Sequence, residues 1–363
     1  MPLLCLPHPS RVRQFVQRGV KVPNSLPRYA VWNNKGGVGK TFVSFIMATE
    51  YAVAHPDRTV VVIDMCPQAN VSEILLGGNG TGSNELLKLL AMTPRKTIGG
   101  YFDQRISSPH AKIGTEATFI IDLHSINGHI PSNILLIAGD PSLELQTQAI
   151  NQIAAQTLPA HAWANVHRWV ADLISATAAQ HPNSVFFIDC NPSFSAYTEL
   201  ALLASNRLVI PCTADGSSAR AIDNIGQLLF GIGVPDSYAG VNFASRAKAS
   251  NMALPSIHVV PLNRSTQYDK RASKAFGAMY DEIKRRVQTL RNGIPTSFSL
   301  PAVSDAFLDI PDAHAVSVVA SHLGLPLGDI TAKRYKIHGR STKVNDEPLV
   351  RYKEAVQKLI NLL

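Results

Sequence analysis

The stretch Lys35-Gly36-Gly37-Val38-Gly39-Lys40-Thr41, followed by Phe42, decides the fold of this chain. Glycines at 36, 37 and 39 let the backbone curl until its N–H groups face one point, an arrangement that cradles phosphate oxygens. Lys40 supplies a charge for the β- and γ-phosphates, and Thr41 offers a hydroxyl to Mg2+. The run from Lys35 through Phe42 is thus a nucleotide-binding candidate, with ATP and Mg2+ as the implied cofactors. A glycine-rich turn with incidental lysines would not need all these positions together between a strand and a helix.

Outward from the loop, residues 28–33 read as a short strand and Lys40 to Ala54 as a helix, whose positive end adds to the phosphate site. Residues 59–64 (TVVVID) are apolar on both faces, as at the buried centre of a parallel sheet. Residues 184–189, 207–211 and 256–261 repeat that pattern, and helical patterns at 162–179, 197–205, 219–231 and 266–291 separate them. The alternation predicts an α/β fold: a doubly wound, mostly parallel sheet with helices on both faces. In such sheets ligands sit at the carboxyl ends of the strands. Asp64 and Asp189 end two of them, so both are expected at the metal with Thr41. The alternative is that each aspartate only caps the turn after its strand.

Residues 1–27 hold Pro2, Pro7, Pro9, Pro23 and Pro27 and read as an extended basic arm. Residues 28–330 read as one P-loop ATPase domain, with surface excursions at 77–117 and 232–253. Residues 331–363 read as a basic segment and a C-terminal helix.

With 45% hydrophobic and 17% charged residues, the chain has the balance of a soluble protein with a substantial core. It contains no apolar run long enough to span a bilayer, and its opening residues are too short and proline-broken for a secretory signal. Cys5, Cys66, Cys190 and Cys212 form no CxxC pair, which argues for a reducing, cytoplasmic setting and against a zinc or iron–sulfur site. The net charge of +8 is unevenly spread. One cluster comprises Arg264, Lys270, Arg271, Lys274, Lys284, Arg285, Arg286 and Arg291; another comprises Lys333, Arg334, Lys336, Arg340 and Lys343. Such clusters suit a polyanion, DNA before membrane, although a basic surface also serves solubility alone.

Together the loop, Asp64-Met65-Cys66-Pro67-Gln68-Ala69-Asn70 and Ile188-Asp189-Cys190-Asn191-Pro192-Ser193 resemble the ParA/MinD family of deviant Walker A partition and positioning ATPases. The resemblance spans roughly residues 28–325 and is loose beyond Pro211. It implies that Lys35 is the signature lysine that crosses an ATP-bound dimer to the partner's nucleotide. It gives Lys35, Lys40 and Asp64 catalytic roles. Val209-Ile210-Pro211 and Val260-Pro261-Leu262-Asn263-Arg264 are also similar to the family, which places adenine contacts at Asn263 and Pro211. A homodimer, non-specific DNA and a ParB-like partner protein are the implied partners.

One position departs from the pattern. The family has Asp-x-Asp-Pro-Gln after the second strand, and its second aspartate positions the attacking water. This chain has Cys66 there. A thiol is mostly neutral near pH 7 and hydrogen-bonds weakly, so slow hydrolysis with intact nucleotide binding is expected.

Other candidates read as structural. His258 lies in an apolar strand and reads as a satisfied core residue; Ser193 and Ser195 lack a GxSxG elbow. The last helix, 349–363, presents Tyr352, Val356, Leu359 and Leu363 on one face, as a docking helix or a membrane-surface anchor would. The leading reading is an ATP-dependent dimerising switch acting on DNA, in partition or a related process. Its rivals are a membrane-surface positioning ATPase, a regulatory nucleotide-binding module without turnover, and a biosynthetic amidating synthase, for which no substrate-binding half is visible.

Overall fold

Alternate residues of the central strands are buried on opposite faces of one sheet, which is why those strands read as unbroken apolar runs. The computed structural model describes residues 26–265 and 272–363, with backbone only at 264, 265 and 272–276. Most of the expected N-terminal arm, residues 1–25, lies outside the described residues, as do Lys270 and Arg271. Arg264 and Lys274 are described in backbone alone.

The strands are β1 (Arg28–Val31), β2 (Thr59–Met65), β3 (Ile121–Asp122), β4 (Ile134–Ile137), β5 (Ser184–Cys190), β6 (Arg207–Val209), β7 (Ser256–Ser265) and β8 (Phe307–Pro311). They form an eight-stranded sheet in the order β3-β4-β2-β5-β1-β6-β7-β8, parallel except for β3 against β4. Val60 and Val62 of β2 and Val185 and Phe187 of β5 pack into one core; Val61, Ile63, Phe186 and Ile188 pack into the other. Each such side chain contributes about 1.5–3 kcal/mol when fully buried. The doubly wound, mostly parallel sheet expected from the sequence is the one observed.

The helices that shape the site are α1 (Lys40–Ala54), α2 (Asn70–Leu75), α3 (Gly216–Phe230), α4 (Ala272–Gly293), α5 (His314–Leu323) and α6 (Asp346–Ile360). α1, α2, α5 and α6 cover the first face of the sheet; α3, α4 and the helices Trp169–Gln180 and Ala196–Ala204 cover the second. The helix expected over 162–179 is two, Ala162–His167 and Trp169–Gln180, meeting at Arg168. The strands β4 and β8 and the helices Leu143–Ala154 and α5 are not among the elements expected from the sequence. β8 is an edge strand with an outward Asp309 and a terminal Pro311, so it shows no continuous apolar run.

Residues after 330 fold back on the same sheet. A hairpin of β9 (Arg334–Ile337) and β10 (Arg340–Lys343) packs on α5, and α6 packs on α1 and β8. The apolar face of α6, Leu349, Tyr352, Val356, Leu359 and Ile360, is buried. Its end is pinned: the Tyr29 hydroxyl donates to the Leu363 carbonyl, and His258 Nε2 meets the Leu362 carbonyl at 2.6 Å. His258 also meets the Ser299 hydroxyl, so both ring nitrogens are engaged. No helix among the described residues is long and apolar enough to cross a membrane.

Candidate nucleotide-binding site

The phosphate loop leaves β1 at the centre of the sheet and enters α1. Asn33, fully buried, starts it: its Oδ1 accepts from the Lys35 amide at 3.0 Å, and its Nδ2 donates to the Pro211 carbonyl at 2.8 Å. Gly37 and Gly39 adopt φ of +75° and +84°, a left-handed conformation that disfavours side chains. At Gly39 a Cβ would also displace the Asn263 amide. That amide donates to the Val38 carbonyl at 2.9 Å, so β7 braces the loop. Gly39 caps α1 without any side chain accepting its first N–H groups, and no acidic residue stands in the first turn. Those amides are arranged to take an anion.

Lys40 is buried, and its ammonium donates to the Lys35 carbonyl at 2.8 Å. Burial lowers its pKa, opposed mainly by Asp189. Phosphate oxygens arriving at the loop would supply the negative charge this ammonium lacks.

Asp64 and Asp189 are register partners on adjacent strands, both buried at the strand ends. Asp189 accepts from Thr41 Oγ1 at 3.1 Å and from Ser44 Oγ at 2.8 Å. Asp64 serves the turn after β2 instead: it accepts from the Cys66 amide at 3.0 Å, the Ser72 amide at 3.1 Å and the Ser72 hydroxyl at 2.7 Å. Burial pushes both carboxyls above the usual range, and the Asp64 charge pushes Asp189 further. A pair of carboxylates strained in this way fits a divalent cation, which would stabilise both ionised forms. Among the described residues no cluster of three or more His, Cys, Asp or Glu is spaced to hold a metal. The donor set fits Mg2+ in particular, because Mg2+ is commonly held by one or two carboxylates, waters and nucleotide phosphates. Thr41 and Asp189, hydrogen-bonded to each other, could hold it, with Asp64 the register partner beside Asp189.

Lys35 points elsewhere. Its ammonium donates to Asp215 Oδ2, to Thr213 Oγ1 at 2.9 Å and to Ser218 Oγ at 3.2 Å, all at the start of α3. Burial alone would raise the Asp215 carboxyl, but hydrogen bonds from Lys35, Thr213 and Ser217 hold it well below the usual range. Cys66 is buried over the Asp64 turn, and burial first, then the Asp64 charge, push its thiol up to about 12. It stays neutral at any physiological pH.

Beside the loop a small cavity is lined by Gly39, Phe42, Asn263, Pro311, Asp312 and Tyr352. Pro211 accepts from Asn33 through its carbonyl; the proline lining the cavity is Pro311. The structure thus brings Lys35 to Thr41, Asp189 and Asn263 to one place and leaves Asp64 beside it. Sequence reading missed Ser44, Ser72, Asp215 and Asp312. Ser44 was within reach, one helical turn after Thr41 on the same face. Asp215-Gly216-Ser217-Ser218 was legible as a helix cap, as its acceptance from the Ser218 amide shows, though nothing there pointed to Lys35.

A family profile described as an AAA domain matches residues 28–233, more than half of the chain. The chain belongs to the AAA domain family. No curated protein matches it in sequence. Among solved structures, this AAA domain protein is similar to the nucleotide-free form of McdA from Cyanothece, with a TM-score of 0.58 at 14% identity, covering 91% of this chain and 99% of McdA. The ATP complex of a McdA variant gives a TM-score of 0.55 at 14% identity, covering 92% and 96%. A plasmid partition protein from Borrelia burgdorferi is matched over 93% of this chain and all of its own, at 17% identity and a TM-score of 0.47. The fold of McdA and of this chain is the same.

Proposed function

We propose that this protein is a ParA-like switch that binds Mg-ATP, dimerises with ATP and acts on DNA with slow hydrolysis. The observation that carries the reading is the phosphate loop itself: uncapped α1 amides, Lys40 at their centre and Thr41 hydrogen-bonded to Asp189. A second lysine, Lys35, stands beside them at a different address, its ammonium bound to Thr213 and Asp215 at the start of α3. That separation supports a role across a dimer. ATP entering both subunits favours the closed state through contacts made only there, and Lys35 provides one of them. The working unit is the P-loop domain 28–330, with the basic arm before it and the segment 331–363 after it, in a cytoplasmic setting.

Slow turnover follows from Cys66. A neutral thiol cannot orient water as a carboxylate does, whereas binding by loop and metal needs no group at that position. Asp64 and Lys40 remain as the catalytic residues.

The DNA reading is supported by the β9–β10 hairpin. Tyr335 and Ile337 face the core, while Lys333, Arg334, Lys336, Arg340 and Lys343 are exposed. None of the ion pairs among the described residues involves these five. A ribbon of uncompensated cations suits a phosphate backbone, and a ParB-like protein is the partner such a switch would answer to. The buried apolar face of α6 speaks against the membrane-anchored rival. Light scattering with ATP and with ADP, each with and without DNA, tests the whole reading. An ATP-specific dimer that binds DNA is expected; a protein that stays monomeric with ATP overturns it.

A further inference from the structure

The C-terminal helix reaches the nucleotide site. Phe42, the residue after Thr41, stacks on Tyr352 of α6, with ring centroids 6.3 Å apart and planes inclined by 26°. Tyr352 is only 2% exposed and lines the cavity that Gly39 and Asn263 open beside the loop. The inner wall of that cavity is phosphate-loop backbone, and the outer wall is aromatic. Asp312, exposed at its rim, is an acceptor within the same cavity for a base amino group. The cavity borders Gly39, the cap of α1, so a nucleotide whose phosphates sit on the α1 amides would have this wall within reach, and aromatic faces stack on bases.

We propose that Tyr352 is a base-binding residue: the C-terminal helix supplies one wall of the subsite for the purine of ATP, and that wall yields when the base enters. The inference rests on the nucleotide reading above and adds residues that the phosphate loop does not include. The cavity measures about 20 Å³, room for about one water and far too little for a purine ring. Entry of the base therefore parts the Phe42–Tyr352 stack. The residues just after α6 are tied to Tyr29 and His258 through the Leu363 and Leu362 carbonyls, which holds the helix beyond Ile360. Base occupancy is thereby transmitted to α6, whereas phosphate occupancy is not.

Calorimetry with Mg-ATP and with Mg-tripolyphosphate separates the two subsites. Tyr352→Leu keeps apolar bulk and removes the ring; Tyr352→Phe keeps the ring. Tyr352→Leu is expected to weaken ATP roughly tenfold, the scale of one lost base–aromatic contact, and Tyr352→Phe to bind like wild type. Neither variant is expected to change tripolyphosphate affinity. Amide exchange across Asp346–Ile360 is expected to change with ATP and not with tripolyphosphate. Unchanged ATP affinity in Tyr352→Leu, equal weakening of both ligands, or identical exchange with both ligands would each overturn the proposal. A wild-type protein that binds neither ligand refutes the nucleotide reading and this inference with it. One that binds tripolyphosphate as tightly as ATP refutes only the base subsite.

Discussion

Lys35 and Asp215 form an ion pair within one subunit, joining the first lysine of the phosphate loop to the cap of α3. Both side chains are partly exposed, at 22% and 43%, so the pair is weak enough to exchange. A lysine serving a partner's nucleotide has to leave this site. Lys35→Ala is therefore expected to keep ATP affinity within about twofold while abolishing the ATP-dependent dimer. Asp215→Asn is expected to let the dimer form at roughly two- to fivefold lower ATP, the scale of a screened ion pair of about 0.5–1 kcal/mol. Sedimentation across an ATP titration measures both. A Lys35→Ala protein that dimerises like wild type removes the cross-subunit role.

Lys40 has a different task, and its loss should be felt by the monomer. Its ammonium lies at the loop centre, bound to the Lys35 carbonyl. A charge-assisted contact of about 1.5–3 kcal/mol corresponds to roughly ten- to a hundredfold in affinity. Lys40→Ala should weaken Mg-ATP by at least that factor in calorimetry, and an unchanged constant would refute the phosphate-loop assignment.

The Asp64–Asp189 pair makes stability depend on pH. Both carboxyls are raised, chiefly by burial. The unfolded chain ionises them in the usual carboxylate range, and the folded chain does so only at higher pH. Between those limits the unfolded state holds fewer protons, so stability falls as pH rises. The nucleotide-free protein should melt at a lower temperature at pH 8 than at pH 5.5, and Mg-ATP should restore more at pH 8. Asp189→Asn keeps an acceptor for one hydroxyl and removes the charge. It should raise the nucleotide-free melting temperature at pH 8 by about 2–4 °C, while reducing the Mg2+-dependent part of ATP affinity. A lower melting temperature for Asp189→Asn at pH 8 would show that the carboxylate is not strained.

These predictions draw on parts of the molecule that were unequally legible in the sequence. The phosphate loop was legible because its demands are local: Gly37 and Gly39 need left-handed backbone, and Lys40 and Thr41 follow in adjacent positions. β2 and β5 were legible because both their faces are buried, and their terminal aspartates marked the site edge. Asp64 is expected at the metal because it ends a strand; what the sequence does not show is Ser72, eight residues on, whose amide and hydroxyl both donate to one of its oxygens. Pairs far apart in sequence left no trace. Lys35 meets Asp215 across 180 residues, and Phe42 meets Tyr352 only once the C-terminal helix has folded back on α1. Pro211 is implied by resemblance alone; Pro311 lines the cavity because edge strand β8 ends there.

The hairpin tests the DNA reading. Lys333 and Arg334 are exposed, and Arg334 pairs in register with Lys343 across the ribbon. Reversing Lys333 and Arg334 to Glu should weaken ATP-dependent DNA binding and lower the slope of log K against log salt by about 2. ATP affinity should not change, because neither Lys333 nor Arg334 lines the cavity beside the loop. Fluorescence anisotropy at several salt concentrations reads the slope; one that stays constant excludes the hairpin from the interface.

The last prediction concerns Cys66, where this chain departs from the pattern it otherwise resembles. Its thiol is neutral, pushed up to about 12, and its backbone N–H already serves Asp64. Wild type should bind Mg-ATP and hydrolyse it slowly, so an ATP-bound dimer should be long-lived. Cys66→Asp places a water-orienting acceptor above Lys40, Thr41 and Asp189, and it should raise turnover by roughly tenfold or more, with each tenfold worth about 1.4 kcal/mol of barrier. The same substitution adds a third carboxylate beside two that burial already strains. Without nucleotide, Cys66→Asp should therefore lose stability as pH rises, more steeply than wild type, and Mg-ATP should recover part of that loss. Phosphate release under multiple turnover and melting curves at pH 5.5 and 8 measure the two effects separately. A variant that folds and binds ATP without gaining activity would mean that more than the carboxylate is missing from the water site. Wild-type hydrolysis as fast as that of the variant would mean that another group already holds the water, and the argument from Cys66 would fail.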